Sequence, residues 1–445
     1  MAAFDEIINF PFDESKVAGI LPVITRIAQP YWDTDAVYVA MQTGRVYRVS
    51  LQGRRRWVIV YDCSADFAEL PPLANGKSEE RGLIGLCFSK RDGTRQLGYS
   101  AKPTMYLCLT LPASAARTMR TWLNDDGQPL NRVSRLRRAN GTFYERPACV
   151  TVVRAVDAHL LGKTSPLTLH HVQYDMLGVE QPETNHNGGA LVVTSNGTLL
   201  WALGDGGGAG DEHGREAAQP QPTRRRRYDE LLGFAQDEST WLGKIIAMPA
   251  ATYGDLDTRN GLQRRPETLH RGLRNPWSMQ IGPHGELYVG DVGQDRYEAV
   301  KVAPRWQEPQ NFGWRAYEAR HKYSFTVAEH LATERLSLGV LELEHENNRV
   351  AAITGCVVDP PRGRVLAFDL NGTVFEATMP WLVRSRSATD RDVEDAYQVR
   401  ELSALDERWQ VHTAGSLRDG RIIVGAVDRQ TETNAIFALV VRRAM

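Results

Sequence analysis

Residues 185–214 read NHNGGALVVTSNGTLLWALGDGGGAGDEHG and combine two apolar runs, a Ser-Asn-Gly turn and a glycine-rich polar loop. Two apolar runs joined by such a turn indicate a pair of strands. His186 precedes the first run, and Asp205 and Asp211 lie in the loop after the second. Binding and catalytic side chains concentrate on loops that a rigid sheet holds in place. This stretch is therefore the first candidate for a functional site.

The second run belongs to a phrase that recurs along the chain: turn residues, alternating apolar residues, then a small residue or aspartate. Its six copies begin at residues 33, 101, 195, 283, 361 and 418. Alternation with a period of two is typical of half-buried strands. The spacing suits four-stranded units, and a ring of such sheets leaves no long edge unpaired. The sequence therefore predicts an all-β fold, a six-bladed β-propeller with four-stranded antiparallel blades.

We expect residues 1–445 to form this single domain, with surface insertions near 111–150, 215–234 and 380–409, where the strand pattern is interrupted. The insertion at 215–234 contains the four arginines of residues 224–227. This run is either a patch for an anionic partner or a targeting signal, or simply a solvated loop. The last apolar run, at 435–443, is expected to close the ring by pairing with an amino-terminal strand such as VITRIA at 23–28.

The overall composition excludes several classes of protein. Lysine and arginine (53) nearly balance aspartate and glutamate (54), so nothing favours specific nucleic-acid binding. No apolar run is long enough for a membrane span, and the acidic amino terminus lacks the features of a secretory signal. We therefore expect an intracellular protein, or one exported by another route. The five cysteines are scattered and odd in number, which argues against a disulfide framework or a zinc site. Cys87, Cys108 and Cys356 lie in strand-like runs and are expected to be buried, unreactive thiols.

Four motifs carry a resemblance to a known family: EERGLIGLCF from residue 79, NHNGGALVV with GDGGGAGD, GLRNPWSMQIGPHGELYVGDVGQDRYEAVKV at 272–302, and AAITGCVVD from residue 351. In this order they resemble the glucose/sorbosone dehydrogenase family of soluble quinoprotein sugar dehydrogenases. They resemble its hedgehog-interacting-protein-like relatives still more closely. The resemblance implies a six-bladed propeller, in agreement with the strand phrases, and a family that is usually exported.

The resemblance also implies a cofactor, pyrroloquinoline quinone (PQQ), bridged to the protein by Ca²⁺. By motif, His186 is the base that removes a proton from a sugar hydroxyl while hydride passes to the quinone. Imidazole suits this role because its pKa lies near working pH. The family usually has an acid before this histidine to orient the ring, and here that position is Asn185. The alternative is that the NHNGG segment is a turn whose histidine caps a strand.

Further positions are implied to contact the quinone or the substrate. Arg274 and Asn275 match the pair that contacts the quinone, and a guanidinium can stabilise charge that develops there. Arg274 could equally tie blades together through carbonyl groups. Glu80 matches a substrate-facing glutamine of the dehydrogenases, and as a buried acid it is expected to pair with Arg81 or Arg274.

Val292, Gly293 and Gln294 match the turn that binds calcium, which prefers oxygen ligands. We expect Gly293 to adopt backbone angles that other residues avoid, and the acids of positions 291 and 298 to brace the loop. The loop that contains Asp205 and Asp211 could hold a second cation or contact a protein.

The dehydrogenases hold the three carboxylates of PQQ with a lysine and an arginine pair near the carboxyl terminus. In this chain His412 stands where the arginine pair is expected. Arg362 and Arg364 are the nearby candidates for the missing cations.

Two functions follow. The first is a PQQ- and calcium-dependent oxidoreductase that oxidises an aldose or related alcohol, a small-molecule substrate. The alternative is a non-catalytic propeller that binds a protein or polyanionic partner through its loops. A lactonase would instead require two or more carboxylates pointing into the channel around a metal ion.

Overall fold

The computed structural model describes residues 2–10, 17, 20–52, 56–71, 80–90, 103–133, 136, 142, 144–161, 173–208, 210–211, 232–249, 262, 265–345, 350–383, 389, 391 and 399–441. These residues form six four-stranded antiparallel blades in a ring, which confirms the predicted all-β propeller. The predicted insertion at 215–234, including the arginines of 224–227, lies outside the described residues except for 232–234.

The strands of each blade are given from the central channel outward. Blade 1 contains β2 (Ile24–Ala28), β3 (Ala36–Met41), β4 (Arg45–Ser50) and β5 (Trp57–Asp62), and blade 2 contains β6 (Leu83–Phe88), β7 (Thr104–Pro112), β8 (Cys149–Asp157) and β9 (Gln173–Gln181). Blade 3 contains β10 (Leu191–Val193), β11 (Thr198–Ala202), β12 (Lys244–Pro249) and β13 (Glu267–Arg271), and the short β17 (Gln310–Asn311) pairs in parallel with β13.

Blade 4 contains β14 (Pro276–Ile281), β15 (Leu287–Asp291), β16 (Tyr297–Ala303) and β20 (Leu341–Glu344), and blade 5 contains β21 (Ile353–Asp359), β22 (Arg364–Asp369), β23 (Thr373–Thr378) and β24 (Val399–Ala404). Blade 6 contains β25 (Trp409–Ser416), β26 (Ile422–Asp428), β27 (Asn434–Val441) and β1 (Ala2–Phe10). Outside the blades lie the hairpin of β18 (Tyr317–Glu318) and β19 (His321–Lys322) and the short helices α1 (Phe325–His330) and α2 (Pro380–Val383).

Each recurring phrase of the sequence forms the second strand of one blade, namely β3, β7, β11, β15, β22 or β26. In β3, β15 and β22 every residue is buried. The reason is that neighbouring blades cover both faces of each sheet, so both sets of alternating side chains are removed from water. The phrase thus marks one blade per copy.

The ring is closed by a different strand from the one expected. β27 pairs antiparallel with β1, from Ala2 opposite Val441 to Phe10 opposite Asn434. The expected partner, the VITRIA segment, forms β2, the innermost strand of blade 1, and contacts β25 and β26 from the next blade. The ring closes as predicted, but the predicted partner strand was wrong. The actual partner, β1, is the outermost strand of blade 6 and does not belong to any copy of the recurring phrase.

The hydrophobic core consists of six apolar layers, one between each pair of adjacent blades. Trp201 of blade 3 and Tyr106 of blade 2, both fully buried, belong to the layer between those blades. The five cysteines are free thiols; Cys108 and Cys356 are buried as expected, whereas Cys87 is only half-buried. Among the described residues, no helix has the length and apolar character needed to cross a membrane.

The innermost strands β2, β6, β10, β14, β21 and β25 contact one another in turn around the channel. Glu80 precedes β6, His186 precedes β10, and Arg274 and Asn275 precede β14. We call the end of the channel where these strands begin the upper mouth, and the end where they finish the lower mouth. The 292–294 turn also lies at the upper mouth, because it follows β15, which runs antiparallel to β14.

Candidate active site

The loop that enters β10 holds His186 in an unusual backbone conformation at the upper mouth. His186 has φ 55°, in the left-handed region, and only 4% of the residue is exposed. Gly204 permits this arrangement, since a Cβ there would lie 2.0 Å from the His186 carbonyl oxygen. Left-handed conformations of non-glycine residues persist where the surroundings enforce them, often at functional sites.

The imidazole of His186 is paired with a carboxylate. Its Nδ1 lies 2.7 Å from Asp205 Oδ1, and Asp205 is fully buried. Trp314 Nε1 donates to Asp205 Oδ2 at 2.8 Å, and the Gly207 N–H donates to Oδ1 at 3.0 Å. Because an ionised carboxylate only accepts hydrogen bonds, we assign the proton to Nδ1. The Nε2 atom then carries the lone pair, and no described residue bonds to it.

Asp205, rather than Asn185, orients the ring, which corrects the expectation from the sequence. Position 205 is far from the histidine in sequence, so no motif adjacent to His186 indicates it. The hairpin register gives only an approximate indication: Leu191 pairs with Trp201, and extending that register towards the mouth places 205 opposite 187, one residue from His186. The predicted hairpin could therefore have placed Asp205 near the histidine loop, but not identified it as the partner of His186.

The second aspartate of the glycine-rich loop bonds to the backbone. Asp211 is fully buried and accepts hydrogen bonds from the N–H groups of Phe234 (2.7 Å) and Ala235 (3.0 Å). Burial raises the pKa of its carboxyl well above the ordinary value, and the nearby charge of Asp205 adds to this shift. In the described part of the chain, no cluster of three or more His, Cys, Asp or Glu side chains could hold a metal ion.

Glu80 joins three blades at the upper mouth. Its Oε2 accepts from the His186 N–H at 2.6 Å and from Asn275 Nδ2 at 3.2 Å. Asn275 Oδ1 in turn accepts from the Gly188 N–H at 3.1 Å. The expected pairing with Arg81 or Arg274 is not found among the described contacts of Glu80. The backbone of the histidine loop and an amide satisfy this carboxylate instead, so it fixes the loop that carries His186.

Arg274 binds the turn that was predicted to hold calcium. Its Nε and Nη2 donate to Gln294 Oε1 at 3.0 and 2.7 Å, and its Nη1 donates to the Val292 carbonyl at 3.1 Å. The guanidinium also lies 5.8 Å from the centre of the Trp314 ring. Trp314 thus contacts both Arg274 and Asp205, which places the guanidinium beside the histidine–aspartate pair.

Buried acids brace the backbone on either side of this turn. Asp291 accepts from the N–H groups of Arg274 (3.1 Å) and Asn275 (2.9 Å) and forms an ion pair with Lys301 (2.8 Å). Glu298 accepts from the Gly293 N–H at 3.0 Å. These contacts hold the turn in a fixed position next to Arg274.

The 292–294 turn itself offers oxygen atoms. The N–H groups of Gly293 and Gln294 are bonded to Glu298 and Glu318. Neither carbonyl of these two residues accepts a hydrogen bond within the described part of the chain. Gly293 does not have the positive φ that we expected; glycine is required there because a Cβ would lie 1.9 Å from the Tyr297 carbonyl oxygen. Carbonyl oxygens are among the ligands that calcium accepts, so the Gly293 and Gln294 carbonyls are available to such an ion, whereas the Val292 carbonyl already accepts a hydrogen bond from Arg274.

The candidate cations of the carboxyl-terminal third lie at the other end of the channel. Arg362 and Arg364 follow β21 at the lower mouth, and both bind Asp359, at 3.0 and 2.9 Å. Arg364 also bonds to Glu376. His412 lies on β25, and desolvation by the surrounding protein lowers its pKa to about 4, so it is neutral at pH 7. None of these three residues supplies a positive charge to the upper mouth.

Comparisons with known proteins point to one family. A family model described as Glucose / Sorbosone dehydrogenase matches residues 150–340, the segment that contains His186, Asp205, Arg274 and the 292–294 turn. The HIPL1 and HIPL2 proteins of Arabidopsis thaliana are 30% and 29% identical over 157 and 163 residues. These matches cover 31% and 32% of this chain but only 19% and 20% of the relatives, so the chain spans about a fifth of their length.

Among solved structures, the PQQ-bound form of aldose sugar dehydrogenase from Streptomyces coelicolor is similar over 99% of both chains, with a TM-score of 0.58 and 14% identity. At this identity the likeness shows a shared fold. Together, the family match over the segment that holds the candidate site and the common propeller confirm that the chain resembles the glucose/sorbosone dehydrogenase family.

Proposed function

We propose that this protein is a PQQ- and calcium-dependent oxidoreductase that oxidises an aldose or related alcohol, with His186 as the base. The observation that carries the proposal is the His186–Asp205 pair, 2.7 Å apart, whose Nε2 atom has no partner among the described residues. A buried carboxylate that fixes the tautomer of a histidine and leaves the second nitrogen available is the arrangement of a general base.

The residues of the chain have separate roles in this proposal. Nε2 of His186 takes the proton of the substrate hydroxyl, and the charge of Asp205 stabilises the imidazolium that forms. Trp314 and the Gly207 N–H hold that carboxylate in place. Glu80 fixes the backbone of the histidine loop from the neighbouring blade. The substrate loses one hydroxyl proton and one hydride, so its alcohol carbon becomes a carbonyl carbon.

The cofactor would be held beside the histidine. Arg274 and Asn275 are the proposed quinone contacts, and the carbonyl groups of Gly293 and Gln294 are the proposed calcium ligands. When bound, the quinone supplies the two-electron acceptor that takes the hydride. The chain contributes orientation, positive charge from Arg274 and the proton acceptor.

Reconstitution tests the proposal directly. The purified protein, mixed with PQQ and Ca²⁺, is expected to reduce an electron-accepting dye when sugars or simple alcohols are added. His186→Gln is expected to lower the rate at least about a hundredfold, because it removes the general base. His159→Gln is the matched control, since His159 is exposed on a 3₁₀ turn after β8. Dye reduction that persists in His186→Gln would contradict the role of the histidine.

A second candidate is a non-catalytic propeller that binds a protein or polyanionic partner. It is favoured by the contacts of Arg274, whose Nε, Nη1 and Nη2 all bond within the protein, and by the pairing of Arg362 and Arg364 with acids. PQQ carries three carboxylates, and binding them in a buried site requires opposite charge or several donors. Titrating PQQ with Ca²⁺ while following its absorbance separates the two functions. Micromolar binding supports the oxidoreductase, and no binding supports the adaptor.

A further inference from the structure

The channel contains a cavity of about 350 Å³ whose lining does not include His186. It is lined by residues from the middle and later parts of the innermost strands, including Arg26 on β2, Ser278 on β14 and Ser416 on β25. His186, Asn275 and Glu80 precede these strands, so the two sites lie at opposite ends of one channel. A cavity of this size is within the range of small-molecule sites.

The charged residues described around this cavity are all basic. Arg26, Lys90 and Arg418 line it, and no aspartate or glutamate is found among its described lining residues. Asp419 is the acid next to Arg418 in sequence, but it binds Arg421 at 2.7 Å and does not line the cavity. Walls that carry one sign of charge in a narrow space concentrate ligands of the opposite sign.

Arg26 is a buried cation without a carboxylate partner among the described residues. It is 9% exposed, and its Nη1 and Nη2 donate to the carbonyls of Thr25 (2.6 Å) and Trp277 (2.5 Å). Its guanidinium also lies 5.0 Å from the centre of the Trp277 ring. Two of its five N–H donors are therefore used. Burial lowers its pKa to about 10, which reflects the cost of a desolvated charge that no acid offsets.

We propose that the lower mouth binds a small molecule with an oxyanion group, a carboxylate or a phosphate. Arg26 provides the buried charge, and Lys90 and Arg418 attract the anion from solvent. The 350 Å³ cavity accepts a small molecule rather than a polymer. This site goes beyond the proposed oxidoreductase activity and shares none of its residues, so either proposal can fail without the other.

Calorimetric titration of the full chain tests the site, with inorganic phosphate and citrate as separate probes and glycerol as the uncharged control. We expect one or both anions to bind at low salt, to bind more weakly at high salt, and glycerol not to bind. The tighter of the two anions identifies the chemical group. Arg26→Gln is expected to weaken binding about tenfold or more, because it removes a charged donor.

Because Arg26 is buried, its substitution could disturb folding, and a second variant avoids this. Lys90 and Arg418 are exposed, and the double variant Lys90→Gln/Arg418→Gln is expected to fold normally and to bind severalfold more weakly. Arg408→Gln is the matched control, an exposed arginine before β25 at the other end of the channel. The proposal is overturned if neither anion binds the unmodified protein, or if the double variant binds as tightly as the control.

Discussion

His270 on β13 is a buried histidine whose contacts require the neutral form. It is 1% exposed; its Nε2 lies 3.1 Å from the Trp306 carbonyl oxygen, and its Nδ1 accepts from the Gln310 N–H at 3.1 Å. One nitrogen therefore donates and the other accepts, as only a neutral imidazole can do. Burial lowers the pKa of His270 from 6.5 to about 4.

This shift predicts a loss of stability in acid. Between pH 6.5 and 4 the unfolded chain binds a proton at this position and the folded protein does not, so the free energy of unfolding falls as the pH falls. Each pKa unit corresponds to about 1.4 kcal/mol, and the difference between 6.5 and about 4 gives a loss of about 3 kcal/mol. Above pH 6.5 the contribution is constant.

Denaturant unfolding of the unmodified protein and His270→Asn measures this contribution. Asparagine keeps an acceptor for the Gln310 N–H and does not titrate. At pH 7 the variant is expected to be less stable by about 1–3 kcal/mol because of the lost packing and the lost hydrogen bond. This gap should close by about 3 kcal/mol as the pH falls to 4. A stability difference between the two proteins that stays constant with pH would refute the claim that burial lowers the pKa of His270. His159→Gln is the control, because His159 is exposed.

Three further substitutions test the upper mouth. Asp205→Asn removes the charge that orients His186 and is expected to lower kcat of the reconstituted enzyme roughly ten- to hundredfold with little change in KM; a loss under about threefold would contradict the pairing. Arg274→Gln removes a positive charge bonded to oxygen atoms of the 292–294 turn and is expected to raise calcium affinity in calorimetry, whereas unchanged affinity would count against a calcium site there. Gly204→Ala places a Cβ 2.0 Å from the His186 carbonyl oxygen and should destabilise the fold by about 1–3 kcal/mol, and an unaltered unfolding midpoint would exclude that close contact.

The blades could be predicted from the sequence because each contains one strand buried on both faces by its neighbours. A strand buried on both faces has to be short and apolar and to lie between turns. The strands β3, β11 and β22 all show this pattern. The position of His186 before an innermost strand follows from the same pattern. The common location of Glu80, His186 and Asn275 at one end of the channel follows once all innermost strands run in the same direction.

The partners of these side chains were less predictable, since they depend on contacts between distant segments. Asp205 lies close to His186 because of hairpin register, and Trp314 reaches the same carboxylate from a loop 109 residues further along the chain. Glu80 bonds to the backbone of His186 rather than to an arginine. A backbone N–H is present at every position except proline, so no residue type in the sequence marks such a partner.

The pairing of β1 with β27 has a consequence for the order of events during synthesis. Ala2 lies opposite Val441, so a strand translated before the other five blades shares a sheet with a strand translated after them. Until the ribosome has released β27, β1 has no neighbour on which to form its ladder of hydrogen bonds, and the sixth blade stays unfinished. The layers on either side of that blade must wait for it, so the complete ring is gained in one late, long-range step.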